Sequence, residues 1–343
     1  MKDRAHGARR VVVVGDGGWG TSLASLLAHG GREVGLWSYD PEYARVLDRT
    51  RSNPKFLPGI EIPGSVRISS DLEALIAGAD LVVSAVPTTY LRSVWSRNGP
   101  LLGPGLPLLS VSKGLEEGTL LRPTQVLKEL TGERPMAVLS GPNIAREIAR
   151  GLPAASVVAT SSPALARTVQ ATLAGERFRV YSNPDMTGVE LGGALKNVIA
   201  LAAGMCDGMD LGANAKAALL SRGVLEMARL GETFGGMRRT FFGLSGLGDL
   251  ITTCYSASSR NRTFGERLGR GERVEDVAAS MQMVAEGVKT SGPVHGLMQR
   301  HEVSMPICEE VYLVIHEGKA PRETVRSLML RGPKDEAEDL TWS

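Results

Sequence analysis

Four consecutive valines, Val11–Val14, run directly into Gly15-Asp-Gly17-Gly-Trp-Gly20. A short unbroken apolar run is the pattern of a strand buried on both faces. The glycines match G-x-G-x-x-G, and Leu23, Leu26 and Leu27 then fall on one side of a helix predicted from Thr21 to His29. In this strand–turn–helix context Gly15 permits the tight turn and Gly17 lets backbone approach a pyrophosphate. Gly20 allows close helix packing, and the helix N-terminus favours the anion. A purely structural glycine turn is the weaker reading.

The same alternation continues. Strands are predicted at Glu33–Trp37, Leu81–Val86, Leu108–Ser112, Met136–Leu139, Ala155–Ala159 and Phe178–Tyr181, with helices such as Leu72–Ala77 and Leu121–Leu130 between them. Strands alternating with helices predict a parallel sheet covered on both faces. Beyond Asn183-Pro184 the strand pattern stops. Helices are predicted at Ala213–Leu230, Arg260–Leu268, Val274–Met281, Gly292–Arg300, Glu309–His316 and Arg322–Leu328, before a polar tail from Arg331. The expected architecture is α/β: a Rossmann-like doubly wound sheet domain over 1–186, followed by an all-α domain over 187–343. A chain of 343 residues accommodates two such domains.

Composition removes several function classes. A formal net charge of +2 makes no electrostatic case for nucleic acid. Cys206, Cys254 and Cys308 are scattered, without a C-x-x-C pair, so neither a metal site nor a disulfide framework is expected. They suit a reducing cytosol. The basic start, Met1–Arg10, passes into only four valines, too few for a signal-peptide core. No run is read as a membrane span, so a cytoplasmic protein is expected.

Isolated charges in apolar surroundings mark the candidate chemistry. Lys196 is the only charge between Glu190 and Asp207, in a stretch whose apolar residues occupy every face of a helix. Burial lowers a lysine pKa or demands a charged partner, and a lysine so tuned can exchange a proton near neutral pH. Taken alone, a lysine snorkelling to the surface is the commoner case. Asp249 is the only charge between Arg239 and Arg260 and is the evident partner for Lys196, the alternative being a turn-forming aspartate. Lys113 and Ser140-Gly141-Pro142-Asn143 each follow a predicted strand, where open parallel sheets bind ligands, although single strand-to-helix turns are common. Ser258-Ser259-Arg260-Asn261-Arg262 opens a helix, and serine caps with two arginines make either a phosphate site or a capped surface helix. Asp40 lies just past the usual ribose-reading position at the end of the second strand. Helix capping before Pro41 is an equal alternative, and Arg32 and Arg45 are the nearby arginines.

Together these segments resemble bacterial NAD(P)-dependent glycerol-3-phosphate dehydrogenase over nearly the whole chain. The marks are Gly15-Asp-Gly-Gly-Trp-Gly-Thr21, Ser112-Lys-Gly-Leu-Glu116, Ser140-Gly-Pro-Asn143, Leu191-Gly-Gly-Ala-Leu-Lys-Asn197, Gly246-Leu-Gly-Asp-Leu250, Ser259-Arg-Asn-Arg262 and Val284-Ala-Glu-Gly287. The resemblance implies that Lys196 is the proton acceptor, with Asp249 beside it. It implies substrate contacts from Lys113, Gly141, Asn143, Asp249, Ser259, Arg260 and Asn261. Cofactor contacts are implied for Gly18, Trp19, Tyr39, Lys113, Ala145, Arg260, Val284 and Glu286. Two positions depart from the family pattern: Asn143 stands where Ser or Thr is frequent, and Tyr39 where a basic residue or His is frequent. NAD or NADP is the implied cofactor, a small phosphorylated molecule the substrate, and a homodimer the implied assembly. Related β-hydroxy acid dehydrogenases and a catalytically silent NAD(P)H-binding regulator are the alternatives.

Overall fold

The structure, a computed structural model, describes residues 7–281, 285–333 and 335–336. The expected cofactor contact Val284, the first six residues and most of the polar tail lie outside the described residues. In chain order the first half comprises β1 (Arg10–Val14), α1 (Gly18–His29), β2 (Glu33–Trp37), α2 (Pro41–Thr50), β3 (Ser52–Asn53), β4 (Leu57–Glu61), β5 (Arg67–Ser69), α3 (Leu72–Ile76) and β6 (Leu81–Ser84). It continues through α4 (Thr88–Asn98), β7 (Leu108–Ser110), α5 (Pro123–Thr131), β8 (Met136–Ser140), α6 (Ala145–Ala149), β9 (Ala154–Ala159), α7 (Pro163–Leu173) and β10 (Phe178–Asn183).

Eight strands form one sheet in the order β10-β9-β8-β7-β6-β1-β2-β5. The valines of β1 show why it is covered on both faces. Val11 and Val13 pack with Leu23 and Leu27 of α1 and Val169 and Leu173 of α7. Val12 and Val14, pointing the other way, pack with Leu75 of α3, Leu91 and Trp95 of α4 and Val126 of α5. From β1 the chain moves outward through β2 to β5 and then returns to place β6 on the opposite side of β1. That reversal creates the crevice where doubly wound sheets bind ligands.

The sheet is not wholly parallel. β8 and β9 pair antiparallel, with Leu139 opposite Val158, and β10 runs parallel to β9. The link between β8 and β9 contains only the five-residue α6. That helix is about 7 Å long at ~1.5 Å per residue, too short to carry the chain back along the sheet for a parallel strand. β5 and the β3–β4 hairpin also escape the alternation pattern. β5 has three residues at the sheet edge and β3 has two, too few for a period to register.

The second half comprises α8 (Met186–Gly208), α9 (Gly212–Thr233), α10 (Arg238–Phe241), a π-helical segment Leu244–Gly248, α11 (Asp249–Tyr255), α12 (Arg260–Gly269) and α13 (Val274–Ser280). It ends with α14 (Glu286–Arg300), α15 (Pro306–Glu317) and α16 (Pro321–Met329). No strand occurs here among the described residues. α14 begins six residues before the predicted Gly292; Pro293 lies inside it, where the sequence pattern suggests a helix start.

α8 is the axis of this half. Contrary to the sequence expectation, its length and hydropathy would suffice to cross a membrane, but nearly all of it is buried inside the protein. α9, α11, α12, α14 and α15 all pack on it. α12 crosses it at backbone contact: a Cβ on Gly204 would meet the Arg262 carbonyl oxygen at 2.0 Å, and one on Gly265 the Leu201 carbonyl oxygen at 2.0 Å. Any side chain there would push the helices apart, so these glycines set where the N-terminus of α12 stands relative to Lys196.

Candidate active site

Lys196 lies on the buried stretch of α8 and does not snorkel; its side chain is 7% exposed. Its Nζ donates to Asp249 Oδ1 at 2.8 Å and to Thr253 Oγ1 at 2.5 Å. Asp249 opens α11 directly after the π-helical segment, an irregularity frequent at functional sites. Its other oxygen, Oδ2, accepts from Lys113 Nζ at 2.6 Å, and Lys113 also donates to the Gly141 carbonyl at 3.1 Å. Gly193 on α8 admits this approach, since a Cβ there would stand 2.8 Å from Ser140 Oγ and 3.4 Å from Lys113 Cγ. The turns after β7 and β8 thus meet α8 and α11 around one carboxylate.

Two ammonium groups share that carboxylate in a largely dry site. Burial pushes Asp249 upward, but Lys113 and Lys196 outweigh it and hold the carboxyl below its ordinary value. For Lys196 burial dominates and lowers the pKa; Asp249 opposes the shift and the neighbouring Lys113 charge adds to it. The two directions are compatible, because one anion facing two cations stays ionised while one cation bears the excess charge. The resulting amine loses its proton more readily than an ordinary lysine.

A polar seam extends from this centre. Asn261, in the first turn of α12, donates to Asn197 Oδ1 at 2.9 Å and accepts from the Gly287 amide at 2.9 Å. This anchors the start of α14 beside α8, and the Glu286 charge reaches Lys196. Ser259 caps α12 by accepting from the Arg262 amide at 3.2 Å. Arg260 follows, exposed at the helix N-terminus. Arg262 pairs instead with Asp207 at 2.8 Å and Glu266 at 3.0 Å. Asn143 accepts from Ser156 Oγ at 2.7 Å. Buried Ser140 Oγ, Asn143 Nδ2 and Asn197 Nδ2 have no hydrogen-bond partner among the described residues, so they are open to a polar ligand.

The glycine turn forms a second, separate group. Gly15 has φ +115°, and a Cβ there would meet the Ala85 carbonyl at 2.8 Å, so the turn tolerates only glycine. A Cβ on Gly20 would lie 2.0 Å from the Gly15 carbonyl, whereas the space beside Gly17 is empty to 4 Å. That clearance beside the N-terminus of α1, flanked by Gly18 and Trp19, fits a dinucleotide pyrophosphate. Ala145 borders it: its carbonyl accepts from Ser22 Oγ at 2.6 Å, and its Cβ lies 3.9 Å from the Cβ position of Gly18. Asn53, missed by the sequence reading, holds the turn by donating to the Asp16 carbonyl at 2.7 Å and Thr21 Oγ1 at 2.8 Å. Tyr39 stands after β2, 62% exposed and edge-on to Trp37. Asp40 caps α2 through the Glu42 amide at 2.9 Å. Arg32 is turned away, donating to the carbonyls of Ala171 and Thr172. Thr253 also escaped the sequence reading; its signal was its place one helical turn after Asp249.

Two family models divide this architecture: the N-terminal part of NAD-dependent glycerol-3-phosphate dehydrogenase matches residues 10–166 and the C-terminal part residues 185–326. The chain belongs to this family. It is 46% identical over 332 residues to glycerol-3-phosphate dehydrogenase [NAD(P)+] of Geobacter sulfurreducens, covering 96% of this chain and 99% of that one. It is 48% identical over 330 residues to the enzyme of the same name from Frankia casuarinae, covering 96% and 98%. Among solved structures, glycerol-3-phosphate dehydrogenase from Coxiella burnetii superposes with a TM-score of 0.90 at 38% identity, covering 94% of this chain and 99% of that one.

Proposed function

We propose that this chain is an NAD(P)-dependent oxidoreductase interconverting dihydroxyacetone phosphate and sn-glycerol 3-phosphate, supplying the latter for glycerophospholipid synthesis. The observation that carries the reading is the buried Lys196–Asp249–Lys113 cluster at the carboxyl edge of a sheet whose first turn fits a dinucleotide. Residues 1–186 are the dinucleotide-binding part and 187–343 the substrate-binding part. The nicotinamide, when bound, supplies or accepts the hydride.

The chain's own residues handle the proton and the charge. Lys196, with its pKa lowered chiefly by burial, takes the hydroxyl proton in oxidation and returns it to the carbonyl oxygen in reduction. Asp249 orients Lys196 and balances the two ammonium groups. Lys113 binds the reacting end of the substrate next to the cofactor. Gly141, Asn143 and Asn261 line the substrate site, and the unpaired Ser140, Asn143 and Asn197 atoms provide hydrogen bonds for a polyhydroxylated ligand. Ser259 and Arg260 at the N-terminus of α12 take the phosphate, through backbone dipole and guanidinium together. Gly15, Gly17, Gly18, Trp19 and Gly20 hold the dinucleotide, with Tyr39, Ala145, Lys113, Arg260, Val284 and Glu286 as further contacts.

A buried acid–base cluster has no use in a silent cofactor sensor, and the relatives favour the phosphorylated substrate over a β-hydroxy acid. The protein acts in the cytoplasm as a homodimer. The test is oxidation of NADH or NADPH with dihydroxyacetone phosphate, set against a β-keto acid and a no-substrate control. Turnover on the phosphorylated ketone alone is expected; turnover only on the keto acid, or on neither, overturns the reading.

A further inference from the structure

In doubly wound sheets the adenosine ribose lies at the carboxyl end of the second strand, where an acidic side chain selects a free 2′-hydroxyl over a 2′-phosphate. Here the residue after β2 is the uncharged Ser38, and Asp40 is engaged as the α2 cap. An acid nevertheless occupies this corner, from a different strand. Asp16 lies between the first two motif glycines, at the end of β1. Gly15 N donates to the Trp37 carbonyl at 3.1 Å, so the ends of β1 and β2 are side by side. Ser38 Oγ donates to Asp16 Oδ2 at 2.7 Å.

We propose that Asp16, braced by Ser38, is the ribose-reading residue and makes this enzyme select NAD(H) over NADP(H). The proposal rests on the dinucleotide reading above.

The side chain is held in place at both ends. Its backbone carbonyl accepts from Asn53 Nδ2 at 2.7 Å and Thr21 Oγ1 at 3.2 Å, while Ser38 fixes the carboxylate. A carboxylate can accept from both vicinal ribose hydroxyls, and it repels a phosphate at the 2′ position. Asp40 adds a second negative charge that Asp16 senses. Of the two nearby arginines, Arg45 lies exposed on α2. Arg32 is tied to the carbonyls of Ala171 and Thr172. Lys55 acts on Asp16, and its Nζ is held 5.0 Å from the Phe56 ring centroid and 5.9 Å from that of Tyr43. Burial raises the Asp16 pKa and the Ser38 hydrogen bond opposes that shift. A 2′-phosphate brought against the carboxylate would have to overcome both repulsion and desolvation.

The experiment is equilibrium binding of NADH and of NADPH to the full chain, followed by reduced-nicotinamide fluorescence without substrate. Wild type should bind NADH at least about tenfold tighter than NADPH, the scale of one unfavourable charge contact. Asp16→Asn keeps the shape and the Ser38 contact; it should tighten NADPH by about tenfold and change NADH by only a few-fold. Asp16→Ser, smaller and equally uncharged, should shift the ratio in the same direction if the Asn variant folds poorly. Equal or tighter binding of NADPH by wild type, the result if Lys55 prevails, overturns the proposal. So does an unchanged ratio in both variants. If wild type binds neither nucleotide, the dinucleotide reading itself has failed.

Discussion

Replacing Asp249 with Asn removes the anion shared by two buried lysines. In wild type Lys113 Nζ is 2.6 Å from Oδ2 and Lys196 Nζ 2.8 Å from Oδ1, with side chains 15%, 7% and 3% exposed for Lys113, Lys196 and Asp249. Breaking one buried ion pair costs about 3–5 kcal/mol, because the remaining charge stays dry. Lys113 has partial access to water, so its share is discounted, and Asn retains one acceptor. A loss of about 3–4 kcal/mol at pH 7 is expected. Its pH dependence has a definite sign. The carboxyl of Asp249 is held below its ordinary value, so its contribution is present above the ordinary carboxylate range and is lost as pH falls through the lower folded value. Lys196 is also lowered; its charged form costs stability below its folded pKa, and that cost fades as pH rises toward the ordinary lysine value. Without Asp249 the lysine is lowered further, and losing its proton relieves the repulsion. The Asp249→Asn deficit should therefore shrink between pH 7 and pH 9. Guanidinium unfolding of both proteins, followed by tryptophan fluorescence at the two pH values, gives the difference. A deficit under about 1 kcal/mol at pH 7, below the range for a broken buried pair, or one that grows at pH 9, would refute this electrostatic account.

Gly17→Ala should fold normally, since nothing lies within 4 Å of its Cβ position, yet weaken NADH binding; Gly20→Ala, whose Cβ would lie 2.0 Å from the Gly15 carbonyl, should lose stability as well. Thermal unfolding and fluorescence titration separate the two outcomes. Arg260→Ala should reduce kcat/KM for dihydroxyacetone phosphate by about 1.5–3 kcal/mol, the range for a hydrogen bond to a charged group, and reduce it less for unphosphorylated dihydroxyacetone, which loses only the cofactor contact. Equal losses on both substrates would remove Arg260 from the phosphate site.

Much of this molecule is legible in its sequence because burial leaves a compositional trace. The valines of β1 have to be apolar on both faces, and the glycine turn must follow them. Lys196 and Asp249 stand out because each is a lone charge in a long uncharged stretch, a contrast that long-range packing then explains by bringing them within 2.8 Å. What escaped the sequence depends on contacts rather than pattern. The reversed direction of β9 follows from a connection too short to cross the sheet. Arg262, one of two arginines in a segment that reads equally as a phosphate site or a capped surface helix, is claimed by Asp207 and Glu266. Asn53 supports the glycine turn from a hairpin of two- and five-residue strands, too small to announce itself. Asp16 reads as filler between motif glycines until Ser38 is seen against it.

The central claim is that Lys196 carries the proton. The direct measurement is kcat of Lys196→Met for dihydroxyacetone phosphate reduction, taken with the NADH dissociation constant of the same protein. Methionine preserves the length and apolar stem of the side chain and removes only the amine. The account predicts a fall in kcat of at least ~10²-fold, the scale of a lost general acid–base group, with cofactor binding unchanged. A folded variant that binds NADH normally and turns over within about tenfold of wild type, well short of that scale, would contradict it.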